Sequence, residues 1–388
     1  MKYKLFSADD HVDLKFLPLD LWQKRVPAAY RTRAPRIEER PEGRRWMVDG
    51  TPFGGILGIL PRESDASRGK PLGSGRDHAI GKNATPIEQK DGRWRATTPA
   101  LRKADMHRDN VEAHVVYGPF MGIQLKDPEL NSICLRAFNE WLVEFCATIP
   151  GRLYPVGTLP VHDAKAAVDE ILRCATLGMK GVQFHALDAY KFHWDEVWEP
   201  LWTAAEETGV SISVHHAGGV WSCRADVHSP SFLGPPGRGV HATNQVTVMN
   251  RLDEVLCGLT LSGVLQRHPK LHVVLAESDL GWIPYILDRM DRKYDDRHVR
   301  VKRDDAADLD MTPSAYYKRQ MSVTFDEDPV GIKMLDAIGP QTVMWSSDYP
   351  HADSTWPDSH AILDEAFKGI DPKITRMVVG GNARKLYA

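Results

Sequence analysis

The chain has 388 residues, 42% of them hydrophobic and 26% charged, a composition that buries a large core and excludes a disordered, collagen-like or disulfide-scaffold protein. Its 49 Lys and Arg stand against 52 Asp and Glu, so no bulk basic field attracts a phosphate backbone and nucleic acid is not an expected partner. Five scattered cysteines (Cys134, Cys146, Cys174, Cys223, Cys257) form no CxxC pair, no apolar run nears a membrane span, and the start MKYKLFSADD meets acids before any signal-like core, so a cytoplasmic protein with no membrane partner is expected.

Eight short apolar or β-branched runs follow in chain order: Lys4–Ala8, His114–Tyr117, Leu153–Thr158, Gly181–Phe184, Val210–Val214, His272–Ala276, Ser322–Phe325 and Thr342–Trp345. Most are followed by a helical pattern. Asp127-Pro128-Glu129 supplies an N-cap, a first-turn proline and an acid before LNSICLRAFNEWLVEFC, and Asp163 opens a helix that ends before Gly178. This rhythm predicts an α/β fold, a single (β/α)8 TIM barrel over residues 1–388. Two segments break it. Residues 14–100, rich in Arg, Gly and Pro, read as too polar for core and as an inserted flap or dimerisation element, which allows a homodimer. A Gly/Pro-rich loop follows the fifth run and precedes a helix beginning near Asn244.

Chemistry collects at the strand ends. The first run leads into Asp9-Asp10-His11, and residues two apart in a strand share a face, so Asp9 and His11 form either a ligand pair or an Asp–His hydrogen-bonded pair. The fifth ends in His215-His216; His215 is chosen as the ligand and His216 goes to the substrate loop or a supporting role. Beyond the sixth lies Glu277, and beyond the eighth Ser346-Ser347-Asp348-Tyr349-Pro350-His351. Asp348 is read either as a metal ligand or base, or as an acid capped by Ser346, Ser347 and backbone amides. Barrel closure would bring Asp9, His11, His215, Glu277 and Asp348 together as a mixed N/O site suited to Zn²⁺ or Mn²⁺. On the following helix Arg289 could reach an anionic group, although a surface pair such as Asp288 with Arg292 is the usual fate of helix charges.

These residues resemble the amidohydrolase-related superfamily (amidohydrolase family 2), in the branch that includes aminocarboxymuconate-semialdehyde decarboxylase. The markers are Ala8-Asp9-Asp10-His11, Val214-His215, Ala276-Glu277 with Gly281-Trp282-Ile283-Pro284-Tyr285 and Arg289, Ser347-Asp348-Tyr349-Pro350-His351, and Gly381-Asn382-Ala383. The resemblance implies one divalent metal, zinc or manganese, bound by Asp9, His11, His215 and Asp348. Two departures stand out: Asp9-x-His11 replaces the more frequent His-x-His, and Glu277 replaces the sixth-strand histidine that decarboxylases of this branch use.

A carboxylate suits deprotonating a metal-bound water, so the favoured expectation is a hydrolase acting on an ester, lactone or amide of a small aromatic or carboxylated substrate. Asp348, Glu277 and His351 are the expected catalytic residues, and His185, His216, Trp221, Arg224, His241, Trp282 and Arg289 the substrate-binding ones. The alternatives are a metal-dependent non-oxidative decarboxylase of an aromatic or enoic acid, and a non-catalytic ligand-binding barrel.

Overall fold

The computed structural model describes residues 3–41, 43–53, 59–60, 98–119, 123, 125–186, 188–215, 246, 251–295, 307–351 and 354–388. Its strands are β1 (Leu5–His11), β2 (Arg36–Arg40), β3 (Gly43–Val48), β4 (Thr51–Pro52), β5 (Ile59–Leu60), β6 (Val111–Tyr117), β7 (Leu153–Thr158), β8 (Gly181–Gln183), β9 (Ser211–His215), β10 (Val273–Ala276), β11 (Met321–Phe325) and β12 (Val343–Trp345). Eight of them pair in the order β1-β6-β7-β8-β9-β10-β11-β12, every ladder parallel, which is the (β/α)8 architecture. All eight expected runs are strands. β1 continues past its apolar run through Asp9-Asp10-His11, because neighbouring groups satisfy polar residues there that apolarity alone would have placed in a loop.

The helix signals act as their chemistry requires. Asp127 accepts from the Glu129 and Leu130 amides at the head of Pro128–Ala147, and Asp163 accepts from the Ala166 amide at the head of Ala164–Thr176. Gly178 follows at φ +82°, a left-handed conformation that costs glycine little.

Strand alternation, interrupted in β1 by a register shift between Ser7 and Asp10 that lets Asp9 and His11 face the same interior as Phe6 and Ala8, divides the core into two layers. Phe6, Ala8, Val115, Tyr117, Val156, Val274, Ala276 and Met344 fill the barrel interior together with Ala383 and Tyr387 of the C-terminal helix. Val182, Phe184, Ile212 and Val214 face the helices instead, packing with Trp198, Trp202 and Leu256. Alternation then turns Gln183, His185, Ser213 and His215 inward, and the bond of 2.7 Å between Tyr117 Oη and Ser213 Oγ agrees. Gly380 lies so close to β1 that an added Cβ would stand 2.7 Å from the Lys4 carbonyl oxygen.

β2 to β5 form a separate antiparallel sheet. The segment carrying it is not too polar for core: Leu14, Leu17, Leu21, Trp22, Trp46 and Phe53 are buried against Leu135, Phe138 and Leu142 of the helix Pro128–Ala147. A few large apolar side chains at wide spacing build this second core, and average composition hides them.

Candidate metal centre

Among the described residues, seven of the eight junctions around the barrel carry strand ladders, and the eighth, between β12 and β1, has none. Chain just beyond β12 bridges it. The Asp348 amide donates to the Asp9 carbonyl at 3.0 Å, and the His11 amide donates to the Tyr349 carbonyl at 2.7 Å. Asp348 sits at φ +54° and Glu277 at φ +47°. Left-handed backbone at a non-glycine residue costs about 1 to 3 kcal/mol, and here it turns the chain sharply just past a strand end.

The donors expected from the sequence converge. His11 Nε2 lies 3.3 Å from Asp9 Oδ1, 3.5 Å from Asp348 Oδ1 and 3.3 Å from His215 Nε2. His215 Nε2 is 3.8 Å from Asp9 Oδ2 and 3.1 Å from Glu277 Oε2. Donor atoms of Asp9, His11 and His215, and those of His11, Glu277, Asp348 and His351, each lie within 4.8 Å of one another, with His11 common to both groups. The Gly118 carbonyl, 3.1 Å from His11 Nδ1, accepts that N–H, so that an Nε2 freed of its proton turns its lone pair to the cluster.

The electrostatics are those of a socket for positive charge. Burial alone would raise the Asp9 carboxyl, but His11, His215 and His351 together hold it below its usual range. Burial and His351 push His11 down, yet Asp9 and Asp348 outweigh them and raise it to about 9. His215 is driven down to about 3, chiefly by burial, and is neutral. Asp9 Oδ1 is fully buried with no well-directed hydrogen bond and only the His11 imidazole, at 3.3 Å, to offset its charge, a deficit that a cation relieves. Two carboxylates and two imidazoles, one with its tautomer fixed, fit a single divalent ion, zinc or manganese.

The remaining expected residues fall into four groups. His351 joins the cluster: its Nδ1 is 2.9 Å from Asp348 and its Nε2 2.9 Å from Asp13, with its ring stacked on His11 at 4.4 Å. His185 is fully buried with neither ring nitrogen hydrogen-bonded, and burial lowers it to about 4. Trp282 donates from Nε1 to the Ser278 carbonyl, while Arg289 is exposed on the helix Ile283–Asp295, where Asp288 pairs with Arg292 as a surface helix pair should. His216, Trp221, Arg224 and His241 lie outside the described residues. The serines do not cap Asp348: Ser347 Oγ donates to Asp10 at 2.5 Å and Ser346 Oγ to the Phe325 carbonyl. Sequence reasoning missed Asp13, although it continues the alternation Asp9-x-His11-x-Asp13. It also missed Thr158 and Gln183, whose inward side-chain atoms Oγ1, Oε1 and Nε2 are buried without hydrogen-bond partners.

A parallel eight-stranded barrel with Asp and His donors at its strand ends defines a metal-dependent enzyme of the amidohydrolase superfamily. The amidohydrolase family model matches residues 86–388, and the chain belongs to that family. It is 28% identical over 256 residues to the γ-resorcylate decarboxylase of Rhodococcus jostii (strain RHA1), spanning 59% of this chain and 71% of that one. It is 23% identical over 307 residues to the 2-amino-3-carboxymuconate-6-semialdehyde decarboxylase of Caenorhabditis elegans, spanning 64% and 71%. In fold it is similar to the 5-carboxyvanillate decarboxylase of Novosphingobium aromaticivorans DSM 12444, solved with bound manganese, at TM-score 0.65 and 18% identity over 99% of this chain and 97% of that one.

Proposed function

We propose that the protein is a metal-dependent non-oxidative decarboxylase of a small aromatic or enoic carboxylic acid. The observation that carries this reading is the likeness to γ-resorcylate decarboxylase, and it moves the balance from hydrolysis, which Glu277 alone favoured, to loss of carbon dioxide. Asp9, His11, His215 and Asp348 would hold the ion, and the carboxylate-rich set suits manganese at least as well as zinc. Bound there, a divalent ion supplies Lewis acidity toward substrate oxygens.

The chain itself must supply a proton to carbon. His351 stands between two carboxylate oxygens, each 2.9 Å from a ring nitrogen, and an imidazole donates from both nitrogens only when protonated. His351 is therefore the proton donor of this reading. Its proton passes to the carbon bearing the carboxylate, which uses a π pair of the substrate to form the C–H bond. The bond to the carboxyl carbon then breaks, its electron pair restores the π system, and carbon dioxide leaves. Asp13 and Asp348 hold the ring in place while solvent returns the proton. At the ends of β7 and β8, Thr158, Gln183 and His185 offer uncharged hydrogen-bonding atoms that suit a hydroxyl or carbonyl oxygen of the substrate.

Hydrolysis remains a second reading on one observation: the Glu277 carboxylate lies within the donor cluster, 3.1 Å from His215, where a base for water belongs. Incubating manganese-loaded protein with hydroxybenzoates, enoic acids, aryl esters and lactones separates the two. Carbon dioxide released one for one with acid consumed supports the decarboxylase; ester or lactone cleavage without carbon dioxide overturns it. Metal analysis that finds no stoichiometric divalent ion sinks both and leaves a ligand-binding barrel.

A further inference from the structure

The proposed ligands sit on both sides of the one junction without a ladder: Asp9 and His11 on β1, Asp348 just past β12. Two backbone bonds are too few to fix side chains to the tolerance a metal demands, so the buried groups behind the junction become decisive. Asp10, which alternation turns away from the donors, spans the junction from the rear. Its Oδ1 accepts from Ser347 Oγ at 2.5 Å and from the Tyr349 amide at 3.1 Å.

Behind Asp10 lies the helix Pro99–Arg108. Arg102 and Asp105, three apart on one face of it, are both fully buried. Arg102 donates to the His11 carbonyl and, at 3.2 Å, to His114 Nδ1, and its guanidinium lies 5.0 Å from the Tyr349 ring centroid. Asp105 accepts from the Tyr349 hydroxyl, and its carbonyl accepts from Trp356 Nε1 at 3.1 Å. One helix thus grips the backbone of a donor on β1 and the residue next to a donor past β12.

The structure assigns to Arg102 and Asp105 the role of positioning residues for the metal centre: a two-armed clamp that sets the distance between the β1 and β12 donors from behind. None of these groups belongs to the donor cluster. A buried arginine could serve stability alone, but then its loss would lower the melting temperature and leave the affinity of the folded protein for metal untouched. The clamp instead moves metal affinity at constant fold. The assignment rests on Asp9, His11, His215 and Asp348 being the ligands, not on which reaction they serve.

The test uses the full chain, stripped of metal and titrated with Mn²⁺ by calorimetry, with the electron paramagnetic resonance spectrum of the bound ion recorded alongside. R102M, folded by circular dichroism, should bind Mn²⁺ roughly 10- to 100-fold more weakly, the usual cost of losing a support behind a ligand, with a changed spectrum. R102K, which keeps the charge but not the fork, should recover part of the loss. Folded R102M with wild-type affinity and an unchanged spectrum overturns the clamp. If R102M does not fold, Y349F decides: it keeps the ring and removes the hydroxyl that bonds Asp105, so a several-fold weaker affinity supports the clamp and wild-type binding overturns it. If the wild-type chain takes up no stoichiometric Mn²⁺, the ligand assignment falls first and the clamp with it.

Discussion

The upper interior of this barrel has two walls of opposite kind. On one, the junction of β12 with β1 together with β9, every acidic or imidazole group leans on another: Asp9 on His11, His11 on Asp348, His351 on Asp348 and Asp13. On the other, β7 and β8, three and four strands round the ring from β12, Thr158, Gln183 and His185 are as deeply buried yet carry side-chain atoms with no hydrogen-bond partner. The first wall gathers negative charge and imidazole lone pairs around one point, as a cation requires. The second bears no formal charge at neutral pH, because burial holds His185 at about 4. The contrast separates two tasks, holding an ion and meeting an uncharged polar atom, and each can be attacked alone.

The largest effect lies on the charged wall. D348N should fold, lose its stoichiometric metal and show no turnover, and chelation of the wild-type protein should abolish activity that added Mn²⁺ restores. Metal analysis and carbon dioxide release check both; a D348N variant that keeps metal and activity removes Asp348 from the ligand set. Next comes H351Q, in which kcat should fall by roughly 10²- to 10⁴-fold, the worth of a positioned acid, while metal content stays near wild type. If the metal leaves as well, His351 is a ligand and the proton must come from elsewhere.

How far the sequence discloses each wall follows from the same physics. All eight strands were visible because buried parallel strands read as short apolar runs, and the N-caps at Asp127 and Asp163 are local signals needing no tertiary context. Asp9, His11, His215 and Asp348 stood out because ionisable groups just past such runs are costly without a purpose. The second wall stayed hidden. Gln183 ends β8 and Thr158 ends β7, and a single uncharged polar residue in an apolar run is common in any strand. Only the absence of partners in three dimensions marks it. Arg102 and Asp105 carry no such signal: they sit in a polar helix, and nothing local says that their face is buried.

Smaller effects probe that hidden wall. Q183L removes a buried amide with neither end hydrogen-bonded, so the variant should gain about 1 to 3 kcal/mol in urea unfolding. It should at the same time raise KM for the substrate roughly tenfold, the worth of one hydrogen bond, with little change in kcat. Stabilisation without any change in KM would mean that Gln183 meets an internal water and not the substrate.

The smallest and most specific effect is in the pH dependence of H185F, measured by urea unfolding of metal-free protein from pH 7 to pH 4. His185 is held at about 4 by burial in the folded chain and titrates near 6.5 when unfolded. Between those values the unfolded chain takes the proton first. The stability linked to a neutral His185 is therefore complete above about 6.5 and is lost as pH falls toward 4, by up to about 3 kcal/mol. His193 and His272, also lowered to about 4 by burial, and His215, lowered to about 3, pull the same way, so the wild-type slope is a sum to which His185 contributes one part. H185F deletes that part: its curve should lie near wild type at pH 7 and rise progressively above it in acid. Parallel curves would mean that His185 takes up protons as readily folded as unfolded, and the difference in kind between the two walls would be gone.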